Sequence, residues 1–195
     1  MKKLIFYICL CISLGGYAQK KYEREYRISS TEVPQLALDF IDAFDVQKKV
    51  KWYKEQGLNS SSVEAKFKLS GVKYSVEFSN EGKLQDIEQK VPFKRLENVI
   101  QQAIKTNLEN NFDAYTIEKV QIQYTGNKDT LLTWRKETNS PQLTSKPSSI
   151  VHIYELIVRA RTQKKVVLFE FQFDEKGQKI AQKEIITKDT DILTF

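Results

Sequence analysis

The stretch SVEAKFKLSGVKYSVEFSNEGK, residues 62–83, decides how the rest of the chain is read. Val63, Ala65, Phe67 and Leu69 alternate with Glu64, Lys66 and Lys68. Gly71 turns the chain, and Val72, Tyr74, Val76 and Phe78 then alternate with Lys73, Ser75 and Glu77. Successive side chains of a strand point to opposite faces, so two such runs about a glycine predict an antiparallel hairpin with one dry and one wet face. Ser79-Asn80-Glu81-Gly82 makes the next turn, a strand follows over 83–90, and Val50 and Trp52 predict a strand ahead of the hairpin.

Outward from the hairpin the period changes. Val33, Leu36, Ala37, Phe40, Ile41 and Phe44 recur at helical spacing, with Pro34 tolerable in a first turn, which predicts an amphipathic helix over 32–45. Pro92 opens a second helix with a stripe of Leu96, Val99, Ile100, Ala103, Ile104 and Leu108, closed by Asn110-Asn111. Four more strands are expected over 115–124, 152–161, 166–173 and 180–187. The halves repeat: Val33-Pro34 answers to Val91-Pro92 at an offset of 58, and the turn at Gly82 answers to that at Gly177 at an offset of 95. The second half thus carries 95 − 58 = 37 extra residues, most of them in an insertion over 126–149. A helix with one apolar stripe and a sheet with one apolar face bury each other. The expected fold is therefore α+β: two tandem helix-plus-antiparallel-sheet units, each a two-layer sandwich, forming one continuous or paired meander sheet over 30–90 and 91–195.

The chain has 195 residues, 41% hydrophobic and 29% charged, a globular composition. Met1-Lys2-Lys3, an apolar run over 4–14 and Gly15-Gly16-Tyr17-Ala18 before Gln19 read as a secretory signal peptide over 1–18, cleaved between Ala18 and Gln19. That run is too short to span a bilayer, which takes about 20 apolar residues, so no integral membrane insertion is expected. Both cysteines, Cys9 and Cys11, fall inside the removed segment, and a disulfide-free exported chain points to a bacterial envelope. The mature protein is expected to be soluble and either periplasmic or secreted. Its basic residues number 31 − 2 = 29 against 25 acidic ones, a mild +4 with both signs interspersed. Nothing in that balance asks for nucleic acid as a partner. Residues 19–29 read as a polar, unpatterned lead-in.

Val33-Pro34, Val50-Lys51-Trp52, Tyr74-Ser75-Val76-Glu77-Phe78 and Asn80-Glu81-Gly82 resemble the unit of the PepSY-like family of exported bacterial proteins, whose units resemble those of the beta-lactamase inhibitor protein. The resemblance covers residues 31–90 well and the remainder less well. It implies binding or inhibition of another exported protein and supplies no catalytic residues.

Chemistry-bearing patterns are few. His152 is the single histidine, so His-pair metal sites and a Ser-His-Asp arrangement have almost nothing to draw on. No nucleophile elbow or phosphate-cradling glycine loop is present. Asp39, Asp42 and Asp45 read as a solvated helix face, Trp52 as core, and Asp189 and Asp191 as terminal acids. No enzyme activity, cofactor or metal is expected. The expected function is a non-catalytic exported binding module for an unidentified exported or envelope protein or polymer, with a structural or assembly role in the envelope as the alternative. Within the insertion, Trp134 and Arg135 are the candidate partner-binding residues, since tryptophan and arginine dominate binding hot spots. The competing reading extends a strand over 130–135 and buries Trp134 against its own sheet.

Overall fold

The computed structural model describes residues 19–21, 23–46, 49–57, 60–137, 146–162 and 165–186. The expected signal peptide with Ala18, both cysteines, residues 138–145 of the insertion, Asp189 and Asp191 lie outside the described residues. Gln19, expected as the first mature residue, begins strand β1.

Ten strands form one sheet: β1 (Gln19–Lys21), β2 (Glu23–Ile28), β3 (Lys51–Gly57), β4 (Ser61–Leu69), β5 (Val72–Ser79), β6 (Leu84–Lys90), β7 (Ala114–Thr125), β8 (Val151–Thr162), β9 (Lys165–Phe173) and β10 (Lys179–Ile185). Three α-helices join them: α1 (Gln35–Ala43), α2 (Asn98–Glu109) and α3 (Lys128–Glu137). The sheet order is β1-β10-β9-β8-β7-β6-β5-β4-β3-β2. From β2 to β10 every neighbouring pair is antiparallel, and only β1 runs parallel to its neighbour β10. Among the described residues no helix is long and apolar enough to cross a membrane.

This architecture corrects the expectation of two tandem helix-plus-sheet units. The fold is dominated by a single sheet that runs straight through the expected boundary at residue 91. β6 and β7 pair directly, with Ile87 opposite Tyr124 and Gln89 opposite Ile122. A unit ending at residue 90 would leave β6 as a bare row of unpaired backbone groups, and that pairing removes the edge. The insertion ties the halves together a second time, because its helix α3 sends Arg135 to the rings of Phe44 and Tyr74 in the first half.

The lead-in is corrected as well, since it supplies β1 and β2. These two strands are separated in the chain by one residue yet stand at opposite ends of the sheet order. Consecutive Cα atoms lie about 3.8 Å apart, so the two edges must approach each other there and the sheet curls round on itself.

Helices α1 and α2 are each preceded by a short 3-10 turn. Ser29 and Glu32 form a capping box over Ser30–Glu32, with the Ser29 backbone N–H donating to Glu32 Oε2 at 2.8 Å. The second turn is Phe93–Arg95. Val33 and Leu96, both buried, close these turns in the same way. The helical equivalence is therefore 96 − 33 = 63 rather than 58, and the second half holds 95 − 63 = 32 extra residues. The matched Val-Pro dipeptides are a coincidence of sequence, because Pro34 directly precedes α1 whereas Pro92 precedes the 3-10 turn. Each of these two helices also rests on a hairpin glycine. A Cβ at Gly82, φ +82°, would stand 2.8 Å from Pro34 Cβ, and one at Gly177, φ +76°, 2.9 Å from Ala103 Cβ.

The core sits between the helices and one face of the sheet. Phe40 meets Phe78 edge-on at 5.6 Å and Phe44 meets Phe67 at 5.4 Å. In the second half Ile100, Ile104 and Leu108 of α2 are buried, and Phe112 lies 5.4 Å from Phe169. Trp52 is buried 6.2 Å from Phe78, as its strand position predicts. Leu36 and Val99, expected within the stripes, are exposed at the rims of their helices.

Candidate functional site

Trp134 and Arg135 belong to a helix rather than to an extended strand or a presented loop. Leu131, Trp134 and Arg135 fall at i, i+3 and i+4 on the inner side of α3, where all three are buried. Trp134 packs 4.9 Å from Tyr124, and the Arg135 guanidinium lies 5.3 Å from the Tyr74 ring centroid. With Trp134 4% and Arg135 9% exposed, these side chains work inside the protein and offer a partner little surface. His152 is likewise buried, on the same apolar face, with Nε2 3.3 Å from Tyr154 Oη and Nδ1 3.1 Å from Glu175 Oε1. Burial pushes its pKa below the usual histidine value, against the pull of Glu175. Asp39, Asp42 and Asp45 are exposed, as expected of a solvated helix face.

The polar face of the sheet is where charge collects. Among the described residues no helix buries its apolar stripe there, yet Glu64, Asp86, Glu155 and Glu170 on it are only 7%, 6%, 8% and 2% exposed. The hairpin between β4 and β5 sets the pairing. Ser70 and Gly71 have φ of +49° and +85°, the conformation of a two-residue hairpin turn with both central residues left-handed. That turn places Leu69 opposite Val72, Lys68 opposite Lys73, Lys66 opposite Ser75 and Glu64 opposite Glu77. On β6, Asp86 stands opposite Glu77 and Glu88 opposite Ser75. Three carboxylates, Glu64, Glu77 and Asp86, thus form one row across three strands. Two residues along come Lys66, Ser75 and Glu88, and beyond them Lys68 and Lys73. The face runs from acid to base along the strands.

The acidic end is braced by neutral and cationic neighbours. Ser75 Oγ donates to Glu64 Oε1, Gln121 Nε2 to Glu88 Oε2, and Gln123 Nε2 to Asp86 Oδ2 at 2.9 Å. Lys66 Nζ reaches both Glu25 and Glu64, the latter at 2.8 Å. Burial works against its charge, but the hydrogen bonds to those two carboxylates prevail and hold its pKa above the usual lysine range. Desolvation, reinforced by Glu77 and Glu155, pushes Asp86 up to about 8. Desolvation also drives Glu88 up to about 9, with Glu155 and Asp86 adding to it. Both therefore hold protons at neutral pH. Asp86 Oδ1 and Gln121 Oε1, buried, meet no hydrogen-bond partner.

Among the described residues, carboxylate oxygens of Glu25, Glu55 and Glu64 lie within 4.8 Å of one another, close enough to share a cation. The ammonium of Lys66 already bonds two of the three. At the basic end a pocket of about 430 Å³ is lined by lysines, Lys51, Lys66, Lys68, Lys73, Lys90 and Lys119 among them. Sequence reading assigned these alternating charges to an ordinary wet face, although Glu64-Lys66-Lys68 and Lys73-Ser75-Glu77 already carried the pattern.

No family model matches the chain, and no curated protein matches it. Among solved structures, the crystal structure of a DUF2874 family protein from Bacteroides ovatus is similar, with a TM-score of 0.52 at 13% identity. The match covers 83% of this chain and 94% of that one. At that identity the likeness is one of fold.

Proposed function

We propose that the protein is a non-catalytic binding module of the bacterial envelope, exported as the chain from Gln19, which takes a charged partner on the polar face of its sheet. The observation that carries this reading is the stacking of like charges. Glu64 stands directly opposite Glu77, and Lys68 directly opposite Lys73. Like charges directly opposite each other on a sheet are destabilising, and the burial of Glu64 raises the cost of its pair. A partner with complementary charge relieves both costs on binding. The apolar face is already covered by helices, which leaves the accessible charges of the polar face, exposed Lys68 and Lys73 and half-buried Glu77, to engage a partner. The resemblance of residues 31–90 to PepSY-like proteins points the same way, and membership of that family is part of the proposal. A structural or assembly role in the envelope is the second reading, favoured by the burial of Trp134 and Arg135, which leaves the insertion knitting the two halves rather than gripping a partner.

The test uses variants that ease the repulsion and therefore keep the fold. Glu77→Lys pairs with Glu64, and Lys73→Glu pairs with Lys68. The tagged mature chain and the double variant are used as bait in an envelope extract, with intact mass checking that residues 1–18 are gone. A partner held by the wild type and lost by an equally stable double variant is the expected result. Equal capture by both overturns the assignment of the binding face, and recovery of full-length chain in a membrane pellet overturns export.

A further inference from the structure

The lysine pocket has a chemistry of its own, and the following inference rests on the binding reading above. Six of the lysines around it come from five different strands: Lys51 from β3, Lys66 and Lys68 from β4, Lys73 from β5, Lys90 from β6 and Lys119 from β7. Two pairs are directly opposed across the sheet, Lys51 with Lys66 and Lys68 with Lys73. Among the described residues Lys66 is the one of these six with carboxylates at salt-bridge distance. A fold selected for stability alone disperses such charges or pairs them. Gln121, only 4% exposed, forms part of the same pocket. Its Nε2 is engaged by Glu88, while its Oε1 is buried and meets no donor. An unmet buried acceptor of this kind is costly, and a ligand donor would recover that loss.

These two needs define a ligand. The lysines require an anion, which they can hold as point charges. Gln121 Oε1 requires a hydroxyl or N–H, which a simple polyvalent anion lacks. We propose that the pocket binds an acidic saccharide, a sugar bearing carboxylate or phosphate groups, whose anions meet Lys68, Lys73 and Lys90 while a ring hydroxyl donates to Gln121 Oε1. Such a ligand is either a segment of an acidic polysaccharide or a free sugar phosphate. The carboxylate end of the face, beyond Glu88, repels it and so fixes its direction.

Isothermal titration of the mature protein with trigalacturonate, glucose 6-phosphate, glucose and inorganic phosphate tests this. Saturable binding of trigalacturonate or of glucose 6-phosphate, weakened by added salt and absent for glucose, is the expected result. Trigalacturonate alone identifies the polymer as the source, and glucose 6-phosphate alone the free metabolite. The double variant Lys68→Gln with Lys73→Gln, whose fold is relieved of one repulsion, should weaken that binding about tenfold or more. Lys128→Gln, exposed at the start of α3 and outside the lining of this pocket, should leave it unchanged. Gln121→Met should weaken the sugar and spare phosphate. Phosphate binding as tightly as the acidic sugars, or affinity indifferent to Lys68 and Lys73, overturns the proposal. If no acidic sugar binds while envelope capture still depends on Lys73, the ligand class falls and the binding reading stands. If both fail, both readings fall.

Discussion

Along β4, β5 and β6 alternate side chains go to opposite faces, and the two faces are buried by different means. On one face Val63, Ala65, Phe67, Tyr74, Val76 and Phe78 are covered by helices laid over them. On the other, Glu64, Ser75 and Asp86 are almost as inaccessible, though among the described residues no helix buries its apolar stripe there. These positions too have lost their water. The apolar face gains free energy from that loss, whereas the polar face must offset it with amide and hydroxyl donors, an ammonium and two retained protons. Burial in this fold is therefore not a measure of stabilisation. It stabilises one face and strains the other, and the strained face is the one with chemistry to offer.

The sharpest way to break this contrast is to remove volume from the apolar side. Phe78→Ala takes away the ring that both Phe40 and Trp52 meet, and should cost about 3–5 kcal/mol in denaturant unfolding. Trp134→Ala should cost a similar amount, about 3–5 kcal/mol, because its ring packs on Tyr124 inside the core. A Trp134→Ala protein that melts like the wild type would return that residue to the surface role first expected of it.

The polar face predicts a pH dependence of opposite character. Asp86 and Glu88 bind their protons more tightly in the folded than in the unfolded chain, since their folded pKa values of about 8 and about 9 exceed the usual carboxylate range. Between those limits the folded state carries more protons, so stability is full in mild acid and falls as the pH rises through about 4 toward about 9. The loss from pH 5 to pH 9 should reach several kcal/mol, on the order of 1.4 kcal/mol per pH unit for each group up to its folded value, and Asp86→Asn should remove about half of it. A pH-independent stability for the wild type would show that this face is wetter than its geometry implies.

Smaller effects sharpen the same comparison. Gly82→Ala forces a Cβ into Pro34 at a left-handed position and should cost about 1–3 kcal/mol. Lys68→Glu should do the reverse, stabilising by about 0.2–1 kcal/mol through its new pairing with Lys73. A destabilised Lys68→Glu would mean that the lysine row is not under repulsion at all.

Much of the apolar face was legible in the sequence, because period two and period 3.6 both announce a buried side. Trp52, Phe67, Phe78 and the stripes of α1 and α2 follow from spacing alone. The lead-in was not legible. Glu23-Arg24-Glu25-Tyr26-Arg27 has no apolar alternation, since Arg24 to Arg27 are all exposed on a terminal strand of the sheet order and Glu25 pairs with Lys66 there, so no apolar side is needed. Trp134 was misplaced because Leu131-Leu132-Thr133-Trp134-Arg135 satisfies both periods over so short a run, although the spacing of residues 131, 134 and 135 favours the helix that forms. The charged rows were within reach. A two-residue turn at Ser70-Gly71 makes opposed residue numbers add to 141, so 64 + 77 and 68 + 73 could be read from the sequence as like-charged pairs. What no local pattern conveys is the curl of the sheet, because it depends on pairings between the first described strand and the last.

That curl also fixes an order of events. Gln19 pairs with Lys183, a separation of 183 − 19 = 164 residues, so the strand that leaves the ribosome first finds its sheet neighbour only when nearly the whole chain is available. Loop-closure entropy makes such a contact late and slow. Until it forms, the rim of β10 stays open to pairing with other chains, and the parallel β1 acts as the latch that ends that exposure.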